Sequence, residues 1–161
     1  MNERKNNGSI LRDVEGDSIQ CILFNMGSEY YGLSISTVKE IIKPMPVTRI
    51  PKSPPFVEGV IDLRGRILPI VNLRCLLGLD PLPLTEESRF VDIQLEGLNL
   101  GIVVEAVSEV VRIQTKQIEP APAMIAGVEG KFLQGIARFE DKLILLMDVE
   151  EVFARWLKKA E

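Results

Sequence analysis

The sequence predicts an all-β protein, and three observations carry that prediction. Apolar residues fall in short runs of strand length, such as Val57 to Leu63 and Arg66 to Val71, bounded by turn residues. The same succession of runs occurs twice along the chain. The connectors between runs collect proline, which fixes φ and removes a backbone donor, so they read as non-helical.

The repeat has two blocks. Residues 24–43, FNMGSEYYGLSISTVKEIIK, align without a gap on 93–112, IQLEGLNLGIVVEAVSEVVR, at an offset of 101 − 32 = 69. Gly32 falls on Gly101, Val38 on Val107 and Glu40 on Glu109. Residues 59–73, GVIDLRGRILPIVNL, align on 135–149, GIARFEDKLILLMDV, at an offset of 135 − 59 = 76. The second copy therefore carries 76 − 69 = 7 more residues in its connecting loop. The units span about 20–78 and 89–151, with 79–88 as the linker. A unit of about 60 residues is marginal alone. Two packed together predict a pseudo-twofold pair of small barrels. Whether each barrel is one contiguous repeat or exchanges strands with the other stays open at this point.

The elements follow in order. Residues 1–17 begin with a polar stretch and are expected to be a mobile tail. Residues 20–26 and 29–35 form a hairpin around Gly-Ser-Glu. Residues 43–55 hold five prolines and read as an ordered, non-helical connector. Val57 to Leu63 and Arg66 to Val71 form a second hairpin with Arg64-Gly65 at its turn, where glycine takes positive φ at little cost. Pro69 inside a strand run predicts an edge or a bulge there. Asn72 caps a short helix, 73–77, stopped by Gly78. Residues 112–130 are a long loop with Pro120 and Pro122. Asp148 with Glu151 opens a C-terminal helix, finished by 154–161, whose Val149, Val152, Phe153, Trp156 and Leu157 share one face.

Composition narrows function mostly by exclusion. The chain has no histidine and two cysteines, Cys21 and Cys75, with no motif around them. That removes the commonest general base and any ordinary zinc site, and the cysteines read as small buried hydrophobes. No cofactor is expected. Net charge is −4, which disfavours nucleic acid. No apolar run approaches the length of a membrane span, and the N-terminus lacks the apolar core of a signal peptide, so a cytoplasmic protein is expected. Glu58, Asp62 and Asp148 are candidates for carboxylate catalysis by residue type alone; solvated or capping roles suit them better.

The two second hairpins match in their apolar positions but not at their tips. Leu63-Arg64-Gly65-Arg66 becomes Phe139-Glu140-Asp141-Lys142. Folding accepts either polar turn. Arg64 reads either as a solvated hairpin charge or as a fork placed to meet a partner's carboxylate.

The run Gly59-Val60-Ile61-Asp62-Leu63-Arg64-Gly65, followed by Pro69 and Asn72-Leu73-Arg74, resembles the CheW family of chemotaxis coupling proteins. Tyr31-Gly32-Leu33, Val38-Lys39-Glu40-Ile41-Ile42, Gly101-Ile102-Val103-Val104 and Val107-Ser108-Glu109-Val110 fit the same family in order. The likeness covers about residues 18–153. Asp62 stands where the family usually has Asn, and Asn72 where it has Asp. The resemblance implies two SH3-like five-stranded β-barrels around a shared hydrophobic core. It implies a non-enzymatic adaptor that joins the cytoplasmic tips of chemoreceptors to the regulatory domain of the CheA histidine kinase, held at receptor arrays through those partners. Carried onto matching positions, the receptor groove uses Val38, Glu40, Gly59, Arg64 and Val107. Val38 and Val107 are also repeat-paired, so plain core is an equal reading for each. Ile118, Glu119 and Met124 fall in a region the family uses for kinase and ring contacts. Asp62, two residues before Arg64, is placed to hold that side chain back in the free protein. The alternatives are a related coupling protein of a pilus or other chemosensory pathway, or a nucleic-acid-binding small barrel.

Overall fold

In the computed structural model, which describes residues 17–154, the alternating runs are strands because each hides one face in a core and turns the other either to the contact between barrels or to solvent. The strands are β1 (Ser18–Met26), β2 (Glu29–Ser34), β3 (Val38–Ile42), β4 (Val57–Leu63) and β5 (Arg66–Asn72), then a short helix α1 (Leu73–Leu76). The second half has β6 (Arg89–Leu95), β7 (Leu98–Val104), β8 (Ala106–Gln114), β9 (Ile118–Glu119), β10 (Met124–Ile125), β11 (Val128–Glu129), β12 (Leu133–Phe139), β13 (Lys142–Met147) and α2 (Val149–Val152). Most of the expected tail, and Trp156 and Leu157 of the expected helix, lie outside the described residues.

The question of strand exchange has a definite answer. One sheet runs β8-β1-β2-β13-β12-β9 and the other β3-β6-β7-β5-β4. Each barrel thus takes its first hairpin from one repeat and its remaining strands from the other. Parallel pairing makes the joins: Tyr31 of β2 faces Leu145 of β13, and Gly101 of β7 faces Ile70 of β5. The two sheets have the same order of equivalent strands, as the repeat requires.

Three cores follow. Ile19, Cys21, Leu23, Ile113, Ile144 and Leu146 fill the first barrel. Ile61, Leu63, Leu68, Ile70 and Phe90 fill the second. The largest lies between barrels and includes Phe24, Tyr31, Leu33, Val71, Ile93, Leu100 and Phe153. Phe24 and Tyr31 stack there with ring centroids 5.7 Å apart. Each such side chain, fully buried, contributes about 1.5–3 kcal/mol.

Bulges occur in equivalent pairs. Lys39 in β3 and Ser108 in β8 are skipped by their partner strands, as are Glu58 in β4 and Gln134 in β12. The repeat alignment contains these positions but nothing in residue type marks them.

Pro69 corrects the edge expectation, because β5 lies between β7 and β4. Val60, opposite Pro69, sends its own N–H and C=O the other way to Thr48, at 2.9 Å each. The Val60–Pro69 pair therefore needs no ladder bond, and the parallel pairing to β7 begins only at Ile70. The bulge in this pair falls at Glu58, in the partner strand β4.

The long loop of the second copy, expected to be an ordered and non-helical connector, carries regular structure of its own. After β8 a 3-10 turn (Thr115–Gln117) leads into β9, which pairs on β12, and β10 and β11 form a small hairpin. Both helix caps are as read: Asn72 accepts from the Cys75 N–H at 3.2 Å and Asp148 from the Glu151 N–H at 3.0 Å.

Burial pushes the Cys21 thiol up from 9.0 to about 12. Burial first, then nearby Glu29, push the Tyr31 phenol up from 10.0 to about 12, against Arg74. Above pH 9 the unfolded chain loses these protons while the folded one keeps them, so the unfolded state binds fewer and stability falls with rising pH. The urea midpoint is expected to hold at neutral pH and fall between about pH 9 and 12. Tyr31→Phe removes the phenol's share of that fall. It costs little at pH 7, because the Tyr31 hydroxyl is buried without a hydrogen-bond partner. An equal alkaline fall in Tyr31→Phe would contradict the phenol's part.

Candidate docking site

The hairpin between β4 and β5 turns through Arg64 (φ 54°) and Gly65 (φ 86°), both left-handed, as a tight two-residue turn demands. Glu140, at the equivalent tip, also has positive φ (56°). Both copies use a two-residue turn entered through a left-handed residue, and they differ in its chemistry. Asp62 Oδ1 accepts the Gly65 N–H at 2.8 Å. This corrects the expectation that Asp62 restrains Arg64: its carboxylate braces the turn.

The Arg64 guanidinium is instead paired with Glu40 of β3, 24 residues away. Two of the expected site residues are thus brought together at one end of the second barrel. Their side chains are 67% and 31% exposed. An ion pair that open to water is worth about 0–1 kcal/mol, so exchanging Glu40 for a partner's carboxylate costs little.

Behind it lies a second pair that sequence reasoning missed. Arg66 donates to Asp92 at 2.8 Å, and Asp92 is fully buried. Asp92 is the cross-strand neighbour of Glu40, so the two ion pairs sit side by side. Its other oxygen, Oδ1, has no hydrogen-bond partner. The signal was present: Asp92 interrupts the apolar run Phe90-Val91-Asp92-Ile93.

Val38 and Val107 are half-buried and pack against the shared core from different barrels. Each covers the core and keeps an exposed flank. Val38 faces Ile93 and Val107 faces Phe24, each just before its strand's bulge. Gly59 is buried, and a Cβ there would lie 2.2 Å from the Thr48 carbonyl oxygen. Its visible function is to let residues 43–56 cross β4, which shapes this end of the barrel from beneath.

The first barrel carries a counterpart pair. Glu109, equivalent to Glu40, accepts from Lys142 at 2.9 Å. That hydrogen bond leads the causes that push Lys142 upward. The Lys142 ammonium also sits 5.2 Å from the centroid of the Tyr30 ring.

Of the remaining expected positions, Ile118 packs partly buried on the first-barrel core, Glu119 is exposed in β9, and Met124 is 58% exposed in β10. The three carboxylates named by residue type all have structural partners: Glu58 accepts from Asn72 at 2.9 Å, Asp62 braces its turn, and Asp148 caps α2. Among the described residues no helix is long and apolar enough to cross a membrane.

A family model described as CheW-like domain matches residues 20–156. The chain is 30% identical over 145 residues to the chemotaxis protein CheW of Treponema pallidum, covering 88% of this chain and 85% of that one. It is 32% identical over 140 residues to a probable chemotaxis protein CheW of Rhizobium etli, covering 87% and 90%. The crystal structure of the scaffolding protein TtCheW from Thermoanaerobacter tengcongensis superposes with a TM-score of 0.77 at 33% identity, covering 86% of this chain and 90% of that one.

Proposed function

The chain belongs to the CheW-like domain family, a non-enzymatic chemotaxis coupling scaffold, and from that premise we propose which of its surfaces do the coupling. The receptor's cytoplasmic helical hairpin docks where Val38, Glu40, Arg64 and Val107 meet solvent. The valines give an apolar floor contributed by both barrels, and Gly59 supports the rim. Arg64 fixes register by trading Glu40 for a receptor carboxylate. The CheA regulatory domain binds a separate face that includes Glu119 and Met124, so receptor and kinase are held at once.

The observation that carries this reading is the Arg64–Glu40 pair. Residues far apart in sequence are gathered at an exposed tip that folding does not require to be basic, since the equivalent tip carries Glu140 and Asp141.

A charge-assisted bond of this kind, once shielded from water, is worth about 1.5–3 kcal/mol. Arg64→Glu is therefore expected to weaken co-sedimentation with receptor tips by about 10- to 100-fold, while thermal unfolding and binding to the kinase regulatory domain stay as in the parent. Undiminished co-sedimentation would remove Arg64 from the site.

A further inference from the structure

We propose that Arg74 is a positioning residue that sets the spacing between the two barrels at the docking groove. Arg74 lies in α1, which continues the second barrel's β5. Its guanidinium donates to Glu105 Oε2 at 2.6 Å and to the Asp80 carbonyl in the linker. Glu105 Oε1 accepts the Gly27 N–H at 2.8 Å, in the β1–β2 turn of the first barrel. The Glu105 backbone N–H donates to the Asn25 carbonyl of β1 at 3.2 Å. Glu105 is the single residue joining β7 of the second barrel to β8 of the first, and its carboxylate takes a first-barrel N–H on one oxygen and the second barrel's Arg74 on the other.

The location of this clamp gives it a consequence. Glu105 immediately precedes β8 and stands two residues before Val107. Val107 comes from the first barrel and Val38 from the second, so the distance between them depends on how the barrels are set. By holding Glu105, Arg74 fixes the entry of β8 and with it Val107. The pairs Arg64–Glu40, Arg66–Asp92 and Lys142–Glu109 each stay within one barrel and cannot do this.

The clamp is also one-sided. Under the repeat offsets, Arg74 falls on Glu150 (74 + 76) and Glu105 on Ser36 (105 − 69). A carboxylate and a hydroxyl at those positions cannot form the same ion pair. The repeat is therefore broken at one flank of the barrel contact, the flank through which β8 is entered. The Arg74 and Glu105 side chains are 17% and 29% exposed, so water screens the pair only in part.

The inference rests on the groove assigned above, and its first test needs no partner. Nitroxide labels are placed by Lys39→Cys and Ser108→Cys, exposed positions beside Val38 and Val107, in a Cys75→Ser background; Cys21 is fully buried, out of reach of the label. Pulsed electron resonance of the full chain is expected to give one narrow distance. Arg74→Met is expected to broaden or shift it. Glu105→Gln, which keeps an acceptor for Gly27, is expected to do the same, and the double variant no more than either. Arg74→Lys is expected to restore part of the narrow distribution. An unchanged distribution in Arg74→Met, or additive effects in the double variant, would overturn the clamp. In the second arm, Arg74→Met is expected to weaken receptor-tip binding about tenfold. A changed distance with unchanged receptor binding would sink Arg74's role at the groove while leaving the inter-barrel contact itself established. Failure of the groove reading has a different signature: unchanged binding in Arg64→Glu.

Discussion

Gly59→Ala is expected to lower stability by about 3 kcal/mol or more, an unusually large loss for one methyl group. Two costs combine. The backbone there has φ 146°, a conformation L side chains rarely adopt. A Cβ would also lie 2.2 Å from the Thr48 oxygen and 2.8 Å from Val47 Cγ1. Relief requires pushing the 43–56 segment off β4, which breaks both Thr48–Val60 backbone bonds. Gly135→Ala meets the same crossing in the other copy, with Ile118 Cγ2 at 2.6 Å and the Glu119 oxygen at 2.8 Å. It lacks the positive φ, so its loss is expected to be smaller. Urea denaturation of both variants checks the order. A Gly59→Ala midpoint equal to the parent's would mean the segment moves freely.

Arg66→Met is the second large effect. It leaves the Asp92 carboxylate buried with neither oxygen paired, at a cost of about 3 kcal/mol; Arg66 is one-third exposed, so the loss falls at the low end for such pairs. Arg66→Met combined with Asp92→Leu is expected to recover most of that loss, because no charge then remains in the interior. Denaturation of the single and double variants measures the difference. A double variant less stable than the single would mean the strand needs a polar group at Asp92 for another reason.

The contrast between these predictions shows what was readable from residues alone. The hairpins, both helix caps and the doubled core were legible, because apolar alternation, Asn72, Asp148 and the repeat are local signals. The bulges at Lys39 and Glu58 were not, since a bulge is set by how two strands meet. Pro69 was misplaced for a related reason: its missing donor is harmless because the Val60–Pro69 pair needs no ladder bond and the pairing to β7 begins only at Ile70. At the site, Glu40 and Arg64 were nameable through family likeness. That they are bonded to each other, with Asp92 and Arg66 behind them, depends on β3 pairing with β6 across repeats. The Arg74–Glu105 clamp was invisible for the same reason.

The exchange of strands governs how the chain can come into being. Tyr30 waits for Ile144, 144 − 30 = 114 residues later, before its strand has a neighbour on that side. At about 5–20 residues per second of translation, the first hairpin stands open for roughly 6–23 seconds after it leaves the ribosome. Neither half can mature early as an independent nucleus, and such distant pairing belongs among the slower-folding topologies. Nascent chains held short of β13 are consequently the ones that chaperones must shield.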